Sequence, residues 1–396
     1  MAVVAKKGVY IVAGKRTPFG MYGGLLRDVI AEDLLATSAA AALKASGVAA
    51  DLVDTVTIGQ AISVAQSGFS GRNAALKTGI PAERPVLTVH KLSGSGFAAI
   101  ICSAQEILIG SANIALAGGM ESLSSIPFLV RDVRFGTHKG KSIQFEDHYQ
   151  KCLFDPICNM HLIQIADVVV AKYGVTRREA DEFALRSYQK WRDADAKGVY
   201  NEELTPVTIK VKDREVLMTR DEIPQRPVTF EKFSSLPTTF KGGVTTSGNC
   251  CGNADGAGAV ILTNEESLKL HELKPLARLV GWSYVALDPV MLGMAPVVAV
   301  QSLLKSTGLT INDMDLVDLH ETFAVATVAC ARELEVDDDK LNVNGGAIAI
   351  GHPPGATGTR IVSNLTYELR RRGLKRAITA ASIAGGQGVA MIIETV

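Results

Sequence analysis

Short apolar runs punctuate the first part of the chain at Val9–Ala13, Val53–Ile58, Val86–Val89 and Ile114–Ala117, and Gly tends to follow them. Runs of this length read as buried strands. Between them, Asp33–Ala45 and Gly96–Ile109 read as helices. Strands alternating with helices predict an α/β fold with a mainly parallel sheet covered on both faces. The pattern changes from about 123 to 250, where most of the aromatic residues lie and charged residues are denser than in the flanks. There Thr176-Arg177-Arg178-Glu179 has the spacing of a capping box, a Thr hydroxyl and a Glu three residues on, opening a helix that runs through Trp191 and ends near Gly198. Beyond about 255 the strands return at Ala259–Leu262, Ala277–Val280, Leu316–Leu319 and Ala377–Ala381, with helices between.

Two similar βα halves therefore flank an insertion. Val89-His90-Lys91-Leu92-Ser93-Gly94-Ser95-Gly96 in the first half has an echo in Ala381-Ser382-Ile383-Ala384-Gly385-Gly386 in the second, each placing a serine and glycines just beyond a strand. The predicted division is 1–122 for the first part of the N-terminal half, 123–250 for the insertion, 251–275 for the return to that half, and 276–396 for the C-terminal half.

Composition narrows the function classes. The 396 residues are 47% hydrophobic, enough for a substantial core and against disorder. The 41 basic and 41 acidic side chains leave no basic footprint for nucleic acid. No run of about 18 uncharged apolar residues appears, so no membrane span is expected. Met1–Lys7 lacks the apolar core of a secretory signal, and the six cysteines show no spaced disulfide framework. An intracellular protein, cytoplasmic or mitochondrial, is expected. The histidines lack metal-ligand spacing, so no metal is expected.

Three segments carry candidate chemistry. In Ser93-Gly94-Ser95-Gly96-Phe97-Ala98-Ala99 a strand feeds a Gly-rich turn and an apolar helix, which aims backbone N–H groups and a helix dipole at one point. Gly94, Gly96 and Ala99 fit a loose dinucleotide pattern, with Glu121 as the nearest ribose-binding acid. The segment equally fits a nucleophile turn with Ser93 at its apex, or a plain tight turn. Gly351-His352-Pro353-Pro354-Gly355 sets an imidazole before a helix that opens with proline. His320-Glu321-Thr322-Phe323-Ala324 sets a histidine at the end of a strand, where ligands collect in open α/β sheets.

Together these segments resemble the thiolase family. The likeness extends from Val9 to Ile393 through Ala13–Gly20, Lys91–Gly96, Gly118–Ser122, Gly248–Ala257, His320–Ala324, Asn344–Pro353 and Gly385–Gly388. Its closest branch is the mitochondrial-type 3-ketoacyl-CoA thiolases. The resemblance implies the thiolase fold: two pseudo-repeated βαβαβαββ halves packed together, an inserted loop domain that holds CoA, and a homodimer or homotetramer. It implies acyl-CoA as substrate and no covalently bound cofactor.

The same resemblance assigns site positions. The family's acylated cysteine is Ser93 here, and the cysteine that moves the substrate α-proton is Ser382. The usual asparagine that positions an oxyanion-hole water is His320, and the glycine of the second oxyanion hole is Ala384. His352, which activates the nucleophile, is unchanged, and with Ser93 and Ala384 it borders the oxyanion holes. On the CoA side His161 matches, Leu162 and Ser247 go with it, and the usual serine of Gly248–Ala257 is Cys251. A serine hydroxyl is a far weaker nucleophile than a thiolate and needs a general base at the moment of attack. Serine at 382 supplies no thiolate base for carbon, so ordinary thiolysis is expected to be severely impaired. Ser93 with His320 and His352 also resembles the Cys-His-His set of the related ketosynthases.

Three readings stay open. One is a CoA-dependent acyltransferase working through a Ser93 ester, its acceptor unidentified. Another is a catalytically lapsed homologue that binds acyl-CoA or serves as a partner subunit. The third is a 3-ketoacyl-CoA thiolase with engineered Cys-to-Ser changes, against which the further departures at Ala384, His320 and Cys251 speak.

Overall fold

A computed structural model describes residues 1–63, 68–212 and 214–396. Among them one large mixed sheet runs in the order Leu316–Leu319, Arg376–Ile383, Gln387–Glu394, Ala277–Ala286, Val9–Arg16, Ala254–Asn264, Ile114–Ser122, Thr55–Gly59, Val86–Val89. Ala2–Val4 and Gly20–Met21 pair at its side. The two halves of the chain meet in the middle of this sheet, where Ala277 and Arg278 pair with Ile11 and Tyr10.

The strands sit where the apolar runs predict them, but the sheet is not mainly parallel. Among the described residues, parallel pairing joins Leu316–Leu319 to Arg376–Ile383 and joins Thr55–Gly59 to its two neighbours. The rest is antiparallel. After the insertion the chain returns as the long strand Ala254–Asn264 between Val9–Arg16 and Ile114–Ser122. The last two strands form a hairpin across Gly385-Gly386. A strand buried on both faces has the same apolar run in either direction, so the pattern alone did not report orientation.

Helices Ala31–Ser46, Ser95–Ile109, Ala295–Thr307 and Pro354–Arg372 bury their apolar faces against the sheet. Ser95–Ile109 and Pro354–Arg372 also pack on each other so closely that only glycine fits. A Cβ on Gly358 would lie 2.2 Å from the Phe97 backbone nitrogen, and one on Gly96 would lie 2.7 Å from the Gly355 carbonyl. The stretches Leu92–Ile109 and Pro289–Thr307 are long and apolar enough to span a bilayer; each is more than half buried within the fold.

Between the halves lie short ladders, Phe128–Val130 with Phe145–Asp147 and Val207–Val211 with Arg214–Met218, and two helices, Leu162–Tyr173 and Arg177–Ala196. The capping box at Thr176 is present, with the Thr176 N–H donating to Glu179 at 2.7 Å. Arg16, at the end of Val9–Arg16, anchors this region to the sheet. Fully buried, its guanidinium donates to Glu203 at 2.6 Å and to Asp221 at 2.7 and 3.0 Å.

Candidate active site

Ser93 lies in the turn Leu92–Gly94 between the strand Val86–Val89 and the helix Ser95–Ile109. Leu92 has φ +49°, a left-handed conformation that costs a leucine on the order of 1–3 kcal/mol. The turn is held by Ser95, whose Oγ accepts from the Lys91 N–H at 2.9 Å and donates to the Leu92 carbonyl at 2.7 Å. Gly94 presses on the other half of the molecule, since a Cβ there would meet Ile383 Cδ1 at 2.4 Å. The echo read in the sequence is thus a physical contact: the Ser93 turn abuts the strand that carries Ser382.

His352 follows Gly351, at φ +92°, and its N–H donates to the Gly252 carbonyl at 2.8 Å. Its Nε2 stands 3.0 Å from Ser93 Oγ and its Nδ1 stands 2.7 Å from Thr357 Oγ1. The Thr357 hydroxyl has one proton, which we assign to the Pro353 carbonyl at 3.1 Å, the usual bond of a helical threonine to the carbonyl four residues back. Thr357 therefore accepts from His352, which places the proton on Nδ1 and a lone pair on Nε2, facing Ser93. Burial, then the Arg360 charge, pushes the His352 pKa down to about 3, so the imidazole is neutral at pH 7.

His320 stands at the end of Leu316–Leu319, its N–H donating to the Ala380 carbonyl at 2.9 Å. Its ring centre is 4.4 Å from that of His352. It is 5% exposed, and neither ring nitrogen has a partner among the described residues. Burial, His352 and Arg360 together hold its pKa well below the usual histidine value. A neutral, buried imidazole has one N–H to donate, and an unpaired N–H there costs about 1–3 kcal/mol.

The remaining sequence-predicted positions lie on other elements. Ser382 is buried near the end of Arg376–Ile383, in register with Gly388, and Ala384 follows it in the hairpin turn. Cys251 donates its N–H to the Thr322 carbonyl at 3.0 Å, beside the His320 turn, and burial pushes its thiol pKa well up, so it remains protonated. Ser247 is exposed. His161 packs against Phe154 and Phe240, with ring centres 5.4 and 6.0 Å away. Leu162 next to it opens Leu162–Tyr173. His161 lines a groove of about 890 Å³ shared with Arg131, Lys141 and Lys151. The structure brings Ser93, His352 and His320 together.

Several site-shaping residues were not legible in the sequence. Glu321 accepts from Ser187 Oγ at 2.6 Å, Asn342 Nδ2 at 2.8 Å and the Ile348 N–H at 3.2 Å, which fixes the loop leading to His352. Glu121 accepts the N–H groups of Ala61, Ile62 and Gly355 at 2.9, 3.1 and 3.0 Å. Burial outweighs those bonds and pushes its pKa up to about 7. This overturns the dinucleotide alternative for Gly94-Gly96-Ala99: its acid is buried in the clamp on the Pro354–Arg372 helix. Thr357 lay in plain view five residues beyond His352, one turn into a helix, a spacing that brings a hydroxyl back to the ring.

Family models match nearly the whole chain: thiolase, N-terminal domain over residues 9–266, and thiolase, C-terminal domain over residues 273–395. The chain belongs to the thiolase family. Among curated thiolase relatives, the human mitochondrial 3-ketoacyl-CoA thiolase is 44% identical over 391 residues, 98% of each chain. A probable acetyl-CoA acyltransferase of Staphylococcus aureus is 38% identical over 388 residues, again 98% of each. The solved human mitochondrial 3-ketoacyl-CoA thiolase in complex with CoA superposes with TM-score 0.95 at 44% identity, covering 100% of this chain and 99% of that one. The Bacillus anthracis acetyl-CoA acetyltransferase superposes with TM-score 0.96 at 36% identity, covering 100% of both. The thiolase fold expected from the motifs is the fold of this chain.

Proposed function

We propose that this thiolase-family protein is a CoA-dependent acyltransferase that carries the acyl group as an ester on Ser93. The observation that carries the reading is the Ser93 Oγ to His352 Nε2 contact of 3.0 Å, with Thr357 holding the tautomer that leaves Nε2 free to accept. As Oγ attacks the thioester carbonyl, its proton passes to Nε2, and the carbonyl oxygen becomes an oxyanion to which the unpartnered His320 N–H can donate. Collapse breaks the C–S bond, and CoA leaves as a thiol with the proton from His352. An acceptor alcohol, amine or water then attacks the ester while His352 takes the acceptor's proton. Ser93 regains a proton as the ester C–O bond breaks. A decarboxylative condensation would use the same groups, because loss of CO₂ replaces proton removal at carbon.

CoA is assigned to the region 123–250, with His161 and Leu162 at the groove that carries Arg131, Lys141 and Lys151, cations suited to phosphate. Cys251 and Ser247 complete that assignment, and the Ala384 N–H is assigned to the second oxyanion hole. Ser382 is a hydroxyl neighbour of the acyl group, too weak a base for carbon. A homodimer or homotetramer is assigned from the family resemblance, and the open edge of the strand Val86–Val89, where Leu87 is exposed, offers a surface for it. The compartment is read as intracellular, and the human relative's printed name is mitochondrial.

One observation favours the second reading, a lapsed homologue that binds acyl-CoA. A base whose pKa is near 3 is a weak proton acceptor at neutral pH. The two readings separate on Ser93→Ala. The acyltransferase loses all turnover while calorimetry finds CoA affinity unchanged. If every measurable activity survives Ser93→Ala, the ester mechanism is wrong and the binding protein stands.

A further inference from the structure

Arg360 and Asp318 join the two elements that carry the imidazoles. The helix Pro354–Arg372 follows His352, and Arg360 lies six residues into it; Asp318 lies two residues before His320, on the same side of its strand. Arg360 Nη1 and Asp318 Oδ2 are 3.6 Å apart, with side chains 4% and 5% exposed. The contact is not a closed fork. Asp318 Oδ1 and Arg360 Nε have no hydrogen-bond partner among the described residues. A loosely paired guanidinium in the interior is costly to the fold, and its charge cannot be shed by losing a proton. Such a cation makes it harder for neighbouring imidazoles to gain charge.

We propose that Arg360 is a positioning residue for the acyl-transfer site: its buried guanidinium, held against Asp318, sets the charge field in which His352 and His320 work. The inference rests on the reading of His352 as the base for Ser93. Arg360 keeps Nε2 of His352 unprotonated, so the serine proton has a place to go even in mildly acid solution. Other groups face the pair. Glu321 adjoins His320 but is tied to Ser187, Asn342 and Ile348; Glu121 holds Gly355; Glu203 is bonded to Arg16 and Asn364; Cys251 is a protonated thiol. Each of these stays in place in the variants below, so a change in the imidazoles reports on Arg360 and Asp318. After burial, Arg360 is the charged group that acts on His352, and it acts on His320 as well.

The test is a histidine-labelled NMR titration of the full chain, with the rate of Ser93 acylation by acetyl-CoA followed in parallel by mass spectrometry. In the unaltered protein both imidazoles stay neutral down to pH 5. Burial already raises the Asp318 pKa to about 6, and without its cation Asp318 takes up a proton, so Arg360→Met removes the positive charge beside the imidazoles and their midpoints rise by about 1–3 pH units. Acylation at pH 5 then falls by as much as about tenfold relative to pH 8. Arg360→Lys, which keeps the charge, restores both. Asp318→Asn leaves the cation alone and moves no midpoint upward, which provides a second arm if Arg360→Met fails to fold. Midpoints unmoved in Arg360→Met, or raised in Asp318→Asn, overturn the inference and leave Arg360 a packing residue. If no Ser93 adduct forms in the unaltered protein, the acyltransferase reading fails, while the titration still decides the role of Arg360.

Discussion

Thr357 Oγ1 accepts the Nδ1 proton of His352 at 2.7 Å while donating its own to Pro353 at 3.1 Å. One hydroxyl thereby sets which imidazole nitrogen faces Ser93. Thr357→Val keeps the shape and removes the bond. A hydrogen bond worth about 1.4 kcal/mol corresponds to a tenfold loss in the acylation rate. Stopped-flow release of CoA on mixing with acetyl-CoA measures it, and an unchanged rate would show that the tautomer is set elsewhere.

Ser93 and Ser382 stand where the family resemblance puts cysteines. Changing both Ser93 and Ser382 back to cysteine is expected to raise thiolysis of a 3-ketoacyl-CoA by at least about 10²-fold, the lower end of what a general base contributes. The assay follows loss of the 3-ketoacyl-CoA. A double variant that stays as slow as the starting protein would mean that Ala384 and His320 have changed the site as deeply as the serines.

Where Ser95–Ile109 crosses Pro354–Arg372, a Cβ on Gly358 would fall 2.2 Å from backbone nitrogen, which no side-chain rotation relieves. Gly358→Ala should cost at least about 1–3 kcal/mol, the usual range for overpacking. Since the same crossing sets Ser93 against His352, activity should fall with it. Urea unfolding reads the first and acylation the second.

Buried histidines also leave a mark on stability. The His352 pKa is depressed from the usual 6.5 to about 3, and that of His320 lies well below 6.5. A depressed folded-state pKa contributes stability above the unfolded value and loses it as pH falls toward the folded one. Below about pH 6.5 the unfolded chain takes up protons that the folded chain refuses, at about 1.4 kcal/mol per site for each pH unit. Glu121, raised to about 7, acts in the opposite direction over the same interval. The comparison is therefore with His352→Gln, whose stability should fall less between pH 6.5 and 5; equal falls in the two proteins would contradict neutral burial of His352.

Much of this fold was legible from local pattern, because a buried strand leaves an apolar run and a helix N-terminus leaves a Thr and a Glu three apart. The run Leu316–Leu319 and the box at Thr176 read true to the residue. Strand direction was not legible, since pairing partners lie far apart in sequence and a doubly buried strand looks alike either way. Ser93, His320 and His352 stood out through their turns and glycines. Arg360, Asp318 and Glu321 did not: each acts through a contact made only when helix, strand and loop converge, whereas Thr357 lies five residues from His352 but looks locally like an ordinary helix residue. Glu121 drew notice for the wrong reason, as a ribose ligand, when its carboxylate clamps the catalytic helix.

The central claim is an ester on Ser93, and intact-protein mass spectrometry with peptide mapping, after incubation with acetyl-CoA and longer acyl-CoAs, tests it most directly. The account predicts an acyl increment on the peptide containing Ser93, absent in Ser93→Ala and discharged when an acceptor alcohol or amine is added. No increment at Ser93, with CoA still bound by calorimetry, would contradict it.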